Sequence, residues 1–466
     1  MEILRLIDLI HAVNGKFITG NPYIPVNGVS IDSRTIHKGE VYFAIQGRRC
    51  DGHDFIKEAV GKGASAVIYS KDNLKVSNFY SKFPSLIKTD DTVTALGKLA
   101  KYYRNKFKNI NIVGITGSNG KTTTKEILAS ILSGKGKTLS NRGNLNNRIG
   151  LPISIFNLTS EYKYAVFEMG TSVYGEIGIL SGILMPDLGL ITNIGFSHLE
   201  SFVSPDGVFK EKKILLENVK ENGCVVINND DRFLRTVNNV DGRKIITFGL
   251  YNHADVTADN VKVFSDQTVF DICFNNERLK VSMPVCAKFN VSNALAASAC
   301  ALYFGLSLND IKTGIELFVP PKMRMETVSA KNGTVLINDA YNANPSSMKN
   351  SIEAVLQSYP GKEINLVLGD MLELGVKADR YHLELGKFIA AKKINSVNLF
   401  GSVIFNAKAG LGDRESVFYS RTKDELLDNL KNICTGEKTV FLFKGSRGMK
   451  LEEVFAEFYE YLDRIN

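Results

Sequence analysis

The segment NINIVGITGSNGKTTTKEILASILSG, residues 109–134, constrains the fold more than any other stretch. Its first half is a continuous apolar run of the kind that a parallel strand buried on both faces requires. Two glycines, Gly117 and Gly120, break the run, and a helical pattern follows from about Lys121 to Gly134. Strand, glycine turn and helix N-terminus in that order form a phosphate-binding context, because free N–H groups and the helix dipole meet at the turn. The usual G-x-x-x-x-G-K-[ST] spacing would put glycine at 115, where Ile115 stands, so the loop is a variant form. Gly117, Ser118, Asn119 and Gly120 are expected to curl around a nucleotide's phosphates, with Thr123 beside them. Lys121 would reach the phosphates, and the Thr122 hydroxyl would face Mg²⁺.

Further strand-like runs surround this one: YAVFEM (164–169), LGLITNIG (188–195), CVVINND (224–230) and KIITFG (244–249), with helical patterns between several of them. That rhythm predicts a doubly wound, mostly parallel α/β sheet. Residues 255–283 change to short alternating runs, TVFDICF and RLKVSMPV, which read as antiparallel strands appended to it. A Pro-Pro pair at 320–321 then precedes a new strand–helix series, and the first residues form a smaller α/β unit with VYFAIQG and ASAVIYS as strands. At roughly 150 residues per domain, the 466 residues suit three domains, expected at 1–85, 86–318 and 319–466.

The 57 basic and 49 acidic residues leave a net charge of +8. No run of five or more Lys or Arg is present, so the excess suits a polyanionic small substrate as well as a polymer. Six scattered cysteines without a C-x-x-C or Cys/His cluster suggest neither zinc nor a disulfide scaffold and fit the cytoplasm. Charges inside MEILRLIDLIHAV argue against a signal peptide. The uncharged stretch 289–309 has about the length of a membrane span, yet its asparagines, serines and small residues point to a buried helix, so no membrane span is expected.

A phosphate loop leaves the reaction open. Glu168, at the carboxyl end of a strand, sits where open sheets bind ligands and is a candidate Mg²⁺ ligand, although a surface carboxylate would look the same. His198 follows the next strand and reads equally as a loop histidine. Lys210, Lys212 and Lys213 in GVFKEKKILLEN also describe a solvated basic face.

Taken together, the segments resemble the Mur ligase family, the ATP-dependent amide-forming enzymes of peptidoglycan synthesis. TGSNGKTTT is that family's form of the loop, without a glycine at 115. DSR (32–34), NRGNLNNRIGLP (141–152), EMGTS, LITNIGFSHLESF, NVSNALAA (290–297), INDAYNANPSSM (337–348), VLGDMLELG (367–375) and FKGSRGMKLEEV (443–454) are similar to the branch that adds D-alanyl-D-alanine. The resemblance implies ATP and two Mg²⁺ ions as cofactors, one ion bridged by a carbamylated lysine. Thr122, Glu168 and His198 would be metal ligands and Lys212 the carbamylated residue, with Lys210 or Lys213 as alternatives; Lys121, Lys212 and His198 would serve catalysis. Asn290 and Asn293 would lie near the base, while Arg324 and Asp339 would close over ATP. Ser33, Arg34 and Gln46 would contact the uridine nucleotide, and Asn144, Asn146 and Asn147 the muramoyl peptide. UDP-MurNAc-tripeptide and D-Ala-D-Ala are the implied partners of a cytoplasmic monomer that binds no nucleic acid. Phe289, Met323 and Arg148 depart from the family pattern, where His, Gly and a smaller or acidic residue are common.

Overall fold

A computed structural model describes residues 1–47, 49–71 and 84–464. Three sheets of five, nine and six strands, with a two-stranded ribbon near the N-terminus, follow one another along the chain. In the first, Gly28–Ser30, Glu40–Phe43, Ala66–Tyr69 and Ser85–Lys88 run parallel, and Lys16–Thr19 adds an antiparallel edge. That sheet's last strand continues past the 85/86 boundary expected from sequence. The helix Thr92–Arg104 follows, capped by the Asp91 side chain, which accepts from Thr94 N.

The nine-stranded sheet is built as its apolar runs require. Asn111–Thr116 lies between Tyr164–Glu168 and Leu188–Ile191, all parallel and almost wholly buried. Cys224–Asn228 and Lys244–Phe248 continue the parallel order, and Thr268–Phe274 and Glu277–Met283 form the expected antiparallel extension. Val256–Val263 joins the two halves, parallel to one neighbour and antiparallel to the other. Thr138–Ser140, an edge strand too short to announce itself by periodicity, was not anticipated.

The uncharged stretch forms the helix Phe289–Tyr303, whose alanines and Leu295 are buried in the core between sheet and neighbouring helices. Among the described residues no helix is long and apolar enough to cross a membrane. Small side chains let this helix pack closely against Lys121–Ser133, which carries the phosphate loop at its N-terminus.

The third sheet orders Glu326–Ser329, Val335–Asn338, Thr439–Lys444, Glu363–Gly369, Ser396–Phe400 and Val417–Ser420; all pairs but the first are parallel. Leu199, Cys286 and Ala287 of the middle unit are buried in a core shared with this last unit. The two units therefore meet through a packed interface beside the carboxyl ends of the central strands.

Candidate functional site

The site begins where three parallel strands end together. Ile115 pairs with Glu168, and Thr116 with Ile191, so the loop from Gly117, the Glu168 carboxylate and the segment from Thr192 leave the sheet side by side. Gly120, at φ 81°, caps the helix in a left-handed conformation that costs a side-chain-bearing residue about 1 kcal/mol. A Cβ at Gly120 would stand 2.2 Å from Asn293 Oδ1, and one at Gly117 1.9 Å from Thr192 Oγ1, so a side chain at either position would displace these neighbours and strain a positive-φ backbone. Thr192 and Asn193 fix the turn from outside: Asn119 N donates to Asn193 Oδ1 at 2.9 Å, and Thr192 Oγ1 donates to Asn119 O at 2.6 Å.

Lys121 folds back to donate to Gly117 O at 2.8 Å. Burial, opposed by Glu168 and reinforced by Arg324, holds its ammonium below the ordinary lysine range. Thr122 Oγ1 donates to Glu168 Oε2 at 2.7 Å and accepts from Arg324 Nη2 at 2.9 Å. Glu168 is 3% exposed, and its other oxygen accepts from Asn146 Nδ2 at 2.8 Å. Its backbone is held at both polar groups by Asn141, whose Oδ1 accepts from Glu168 N and whose Nδ2 donates to Glu168 O.

Of the three candidate lysines, only Lys212 points inward. It is 1% exposed, whereas Lys210 is exposed and Lys213 pairs with Glu217 at 3.5 Å. No hydrogen bond or ion pair to the Lys212 ammonium is present among the described residues. Burial and the nearby Lys121 charge, opposed by Glu211 and Glu168, push its pKa well below the ordinary value. Glu211 is otherwise engaged, accepting from Gly175 N and Ile177 N.

His198 lies in the segment that follows the strand Leu188–Ile191. It occupies a left-handed φ of 52°, and its Nδ1 lies 2.6 Å from Glu373 Oε2 of the C-terminal unit, out of line for a hydrogen bond. The contact engages Nδ1 and leaves Nε2 as the ring nitrogen available to a ligand. Among the described residues no group of three or more His, Cys, Asp or Glu side chains could hold a metal ion. The hard oxygen donors at this place are the Thr122 hydroxyl and the Glu168 carboxylate, a pair that fits a magnesium ion.

A cleft of about 540 Å³ opens on the other side of the loop, between middle and C-terminal units. Ser118, Asn119, Lys121, Thr123, Asn290 and Asn293 line one wall, and Arg324, Asp339 and Tyr341 the opposite one. Asn293 Nδ2 donates to Asn290 Oδ1 at 2.9 Å, while Phe289, the residue that departs from the family, also faces the cleft. Arg324 stacks its guanidinium 4.3 Å from the Tyr341 ring centroid, which aims it at the loop. Met323, the second departure, sits at φ 60°, a backbone state that glycine adopts without strain and that explains why glycine is common there.

Asp339 acts inside the C-terminal unit. Lys444 Nζ lies 2.5 Å from its Oδ2, Ser351 Oγ donates to the same oxygen at 2.6 Å, and Met325 N donates to Oδ1 at 3.2 Å. Lys444 stands in a motif visible in the sequence, but its partner lies 105 residues away, a pairing that no local pattern reveals. Removing one member of such a buried pair strands the other, so Asp339→Ala is expected to destabilise the C-terminal unit by about 3 kcal/mol or more, read as an earlier urea-unfolding transition.

The residues expected to meet the uridine nucleotide gather at the carboxyl edge of the first sheet. Ser33 Oγ donates to Glu58 Oε2 at 2.8 Å, Arg34 pairs with Asp32 at 2.7 Å, and Gln46 is exposed in the turn bridged to Asp51. Asn144 is exposed, Asn146 binds Glu168, and Asn147 Oδ1 accepts from Gly150 N at 2.8 Å, starting the helix Gly150–Ile155. Arg148 Nε is buried without a partner, and no feature of the structure explains this departure.

Known proteins resemble this one over nearly the whole chain. Residues 25–104 match the Mur ligase family catalytic domain, 115–301 the Mur ligase middle domain, and 323–447 the Mur ligase glutamate ligase domain. The UDP-N-acetylmuramoyl-tripeptide–D-alanyl-D-alanine ligase of Bacillus subtilis is 35% identical over 93% of each chain, and that of Escherichia coli 34% identical over 97% of this chain and 98% of its own. A crystal structure of MurF from Acinetobacter baumannii superposes with a TM-score of 0.91 at 31% identity, covering 99% of both chains. MurF ligase from Thermotoga maritima in complex with ADP superposes with a TM-score of 0.84 at 28% identity over 94% of this chain and 98% of its own. With three matched domains and relatives alike over nearly their full length, the chain belongs to the Mur ligase family.

Proposed function

We propose that the protein is an ATP-dependent ligase that joins D-alanyl-D-alanine to UDP-N-acetylmuramoyl-tripeptide, giving UDP-MurNAc-pentapeptide, ADP and phosphate. The observation that carries this reading is the meeting at Thr122 of the phosphate-loop helix, the Glu168 carboxylate and Arg324 from the closing unit. The named relatives, alike over nearly the whole chain, support the choice of substrates.

In the first step the tripeptide's terminal carboxylate attacks the γ-phosphorus of ATP. An O–P bond forms, the bond to the β-phosphate oxygen breaks, and ADP leaves. Lys121 and the loop N–H groups hold the phosphates in line and offset their charge. In the second step the amine of D-Ala-D-Ala attacks the acyl carbon, phosphate departs, and the amine's proton is released. An acyl phosphate hydrolyses in water, so Arg324 and the C-terminal wall of the cleft serve to exclude water while the amine arrives.

Thr122 and Glu168 would hold a magnesium ion, with Lys212 as its carbamate holding a second; bound there, the metals supply charge neutralisation at the transferring phosphoryl group. His198 would join them through Nε2, with Nδ1 kept beside the Glu373 carboxylate. Asn290 and Asn293 are assigned to the base end of the cleft, and Ser33, Arg34 and Gln46 to the uridine nucleotide. One chain supplies loop, carboxylate and closing arginine, so catalysis is assigned to the monomer. The reaction is assigned to the cytoplasm, where ATP is available and the six free cysteines stay reduced.

The test is phosphate release from ATP with UDP-MurNAc-tripeptide and Mg²⁺, with and without D-Ala-D-Ala, together with product mass. Release that needs both substrates and yields pentapeptide is the expected result. Stimulation by a different amino acid in place of the dipeptide would overturn the substrate assignment.

A further inference from the structure

The C-terminal unit touches the phosphate loop at a second place, Asn119, besides the Arg324 contact with Thr122. Asn119, in the middle of the loop, donates from Nδ2 to Ser346 Oγ at 3.0 Å and accepts at Oδ1 from Asn344 Nδ2 at 2.7 Å. These partners stand 227 and 225 residues further along the chain, at the N-terminus of the helix Pro345–Ser358. Asn344 does two jobs there. Its Oδ1 accepts from Ser347 N at 2.9 Å as the helix cap, which leaves the amide nitrogen free to reach Asn119. Ser346 Oγ, besides accepting from Asn119, donates to the same Asn344 oxygen at 2.9 Å.

The backbone of Asn119 is itself clamped by Thr192 and Asn193, so the loop does not move with the C-terminal unit and a shift of that unit must stretch these contacts. A rigid loop residue with both side-chain polar groups spent on another domain reports whether that domain is closed. We infer that Asn344 and Ser346 form a latch on Asn119 that holds the C-terminal unit against the phosphate loop during the acyl-phosphate stage. They are positioning residues: they border the cleft, and the contacts they make are with the loop residue Asn119 and with each other. The inference rests on the ligase reading above and extends it to how water is kept from the intermediate.

Asn344→Asp separates latching from capping, since Asp caps a helix as well as Asn but has no N–H to give Asn119. Ser346→Ala removes the other contact without adding charge. Both variants are expected to keep the wild-type melting temperature within a few degrees. In each, kcat for pentapeptide should fall about tenfold. The decisive readout is phosphate released per pentapeptide formed, which should rise above one as water reaches the acyl phosphate. A variant that is only less stable loses active enzyme and leaves that ratio unchanged. Folded Asn344→Asp and Ser346→Ala proteins with wild-type kcat and wild-type ratio would overturn the latch. A wild-type protein that makes no pentapeptide would instead overturn the ligase reading.

Discussion

Lys121→Ala is expected to lower kcat/KM for ligation by about 10³-fold, while the far-ultraviolet circular dichroism and the melting temperature should stay close to wild type. The expected size follows from what one preorganised charge contributes where negative charge develops in a water-poor site, about 3–4 kcal/mol. The fold should survive because the Lys121 ammonium makes one hydrogen bond, to Gly117 O, and its tail is not part of a hydrophobic core. Removing a cation held below its ordinary pKa by burial also removes a desolvation cost, so stability should not fall. Steady-state kinetics with both substrates varied is the measurement, and turnover within tenfold of wild type would refute the loop assignment.

Lys212→Ala is expected to lower kcat by about 10²-fold or more, with partial recovery on adding acetate or formate at tens of millimolar. The reasoning starts from the amine's environment. A lysine buried beside another cation is driven toward its neutral form, and a neutral amine attacks carbon dioxide: an N–C bond forms, one proton is released, and a carboxylate-like oxygen pair replaces the ammonium. That exchange turns a repulsive neighbour of Lys121 into an attractive one and provides oxygen donors next to Glu168. Because only the neutral amine reacts, carbamate occupancy should decrease as pH is lowered, which carbon-13 NMR with labelled bicarbonate can follow. Recovery by short carboxylates in a Lys210→Ala or Lys213→Ala variant, with Lys212→Ala unresponsive, would move the role to another lysine. The exposure of Lys210 and the Lys213–Glu217 pair speak against that result.

Much of the architecture is legible in the sequence. The expected strand at 111–116 and the helix from Lys121 to the stop at Gly134 appear almost residue for residue, because both signals are local: an apolar run between turns, then a 3.6-residue period ended by glycine. The switch to antiparallel strands after residue 255 was equally visible as alternation. Short edges were not, since Thr138–Ser140 and Glu326–Ser329 contain too few residues to establish a period.

By itself the sequence determined that the chain has a phosphate loop on a parallel sheet, which residues stand in that loop, and which family the motifs resemble. Each of these depends on neighbours within a few residues. Tertiary structure alone decided which of three adjacent lysines turns inward, that His198 meets Glu373, and that Asn119 is gripped from a helix more than two hundred residues away. The physical reason is that a side chain's partner and its burial depend on which surfaces the domains bring together. Spacing along the chain records periodicity and turns, but it carries no measure of that distance.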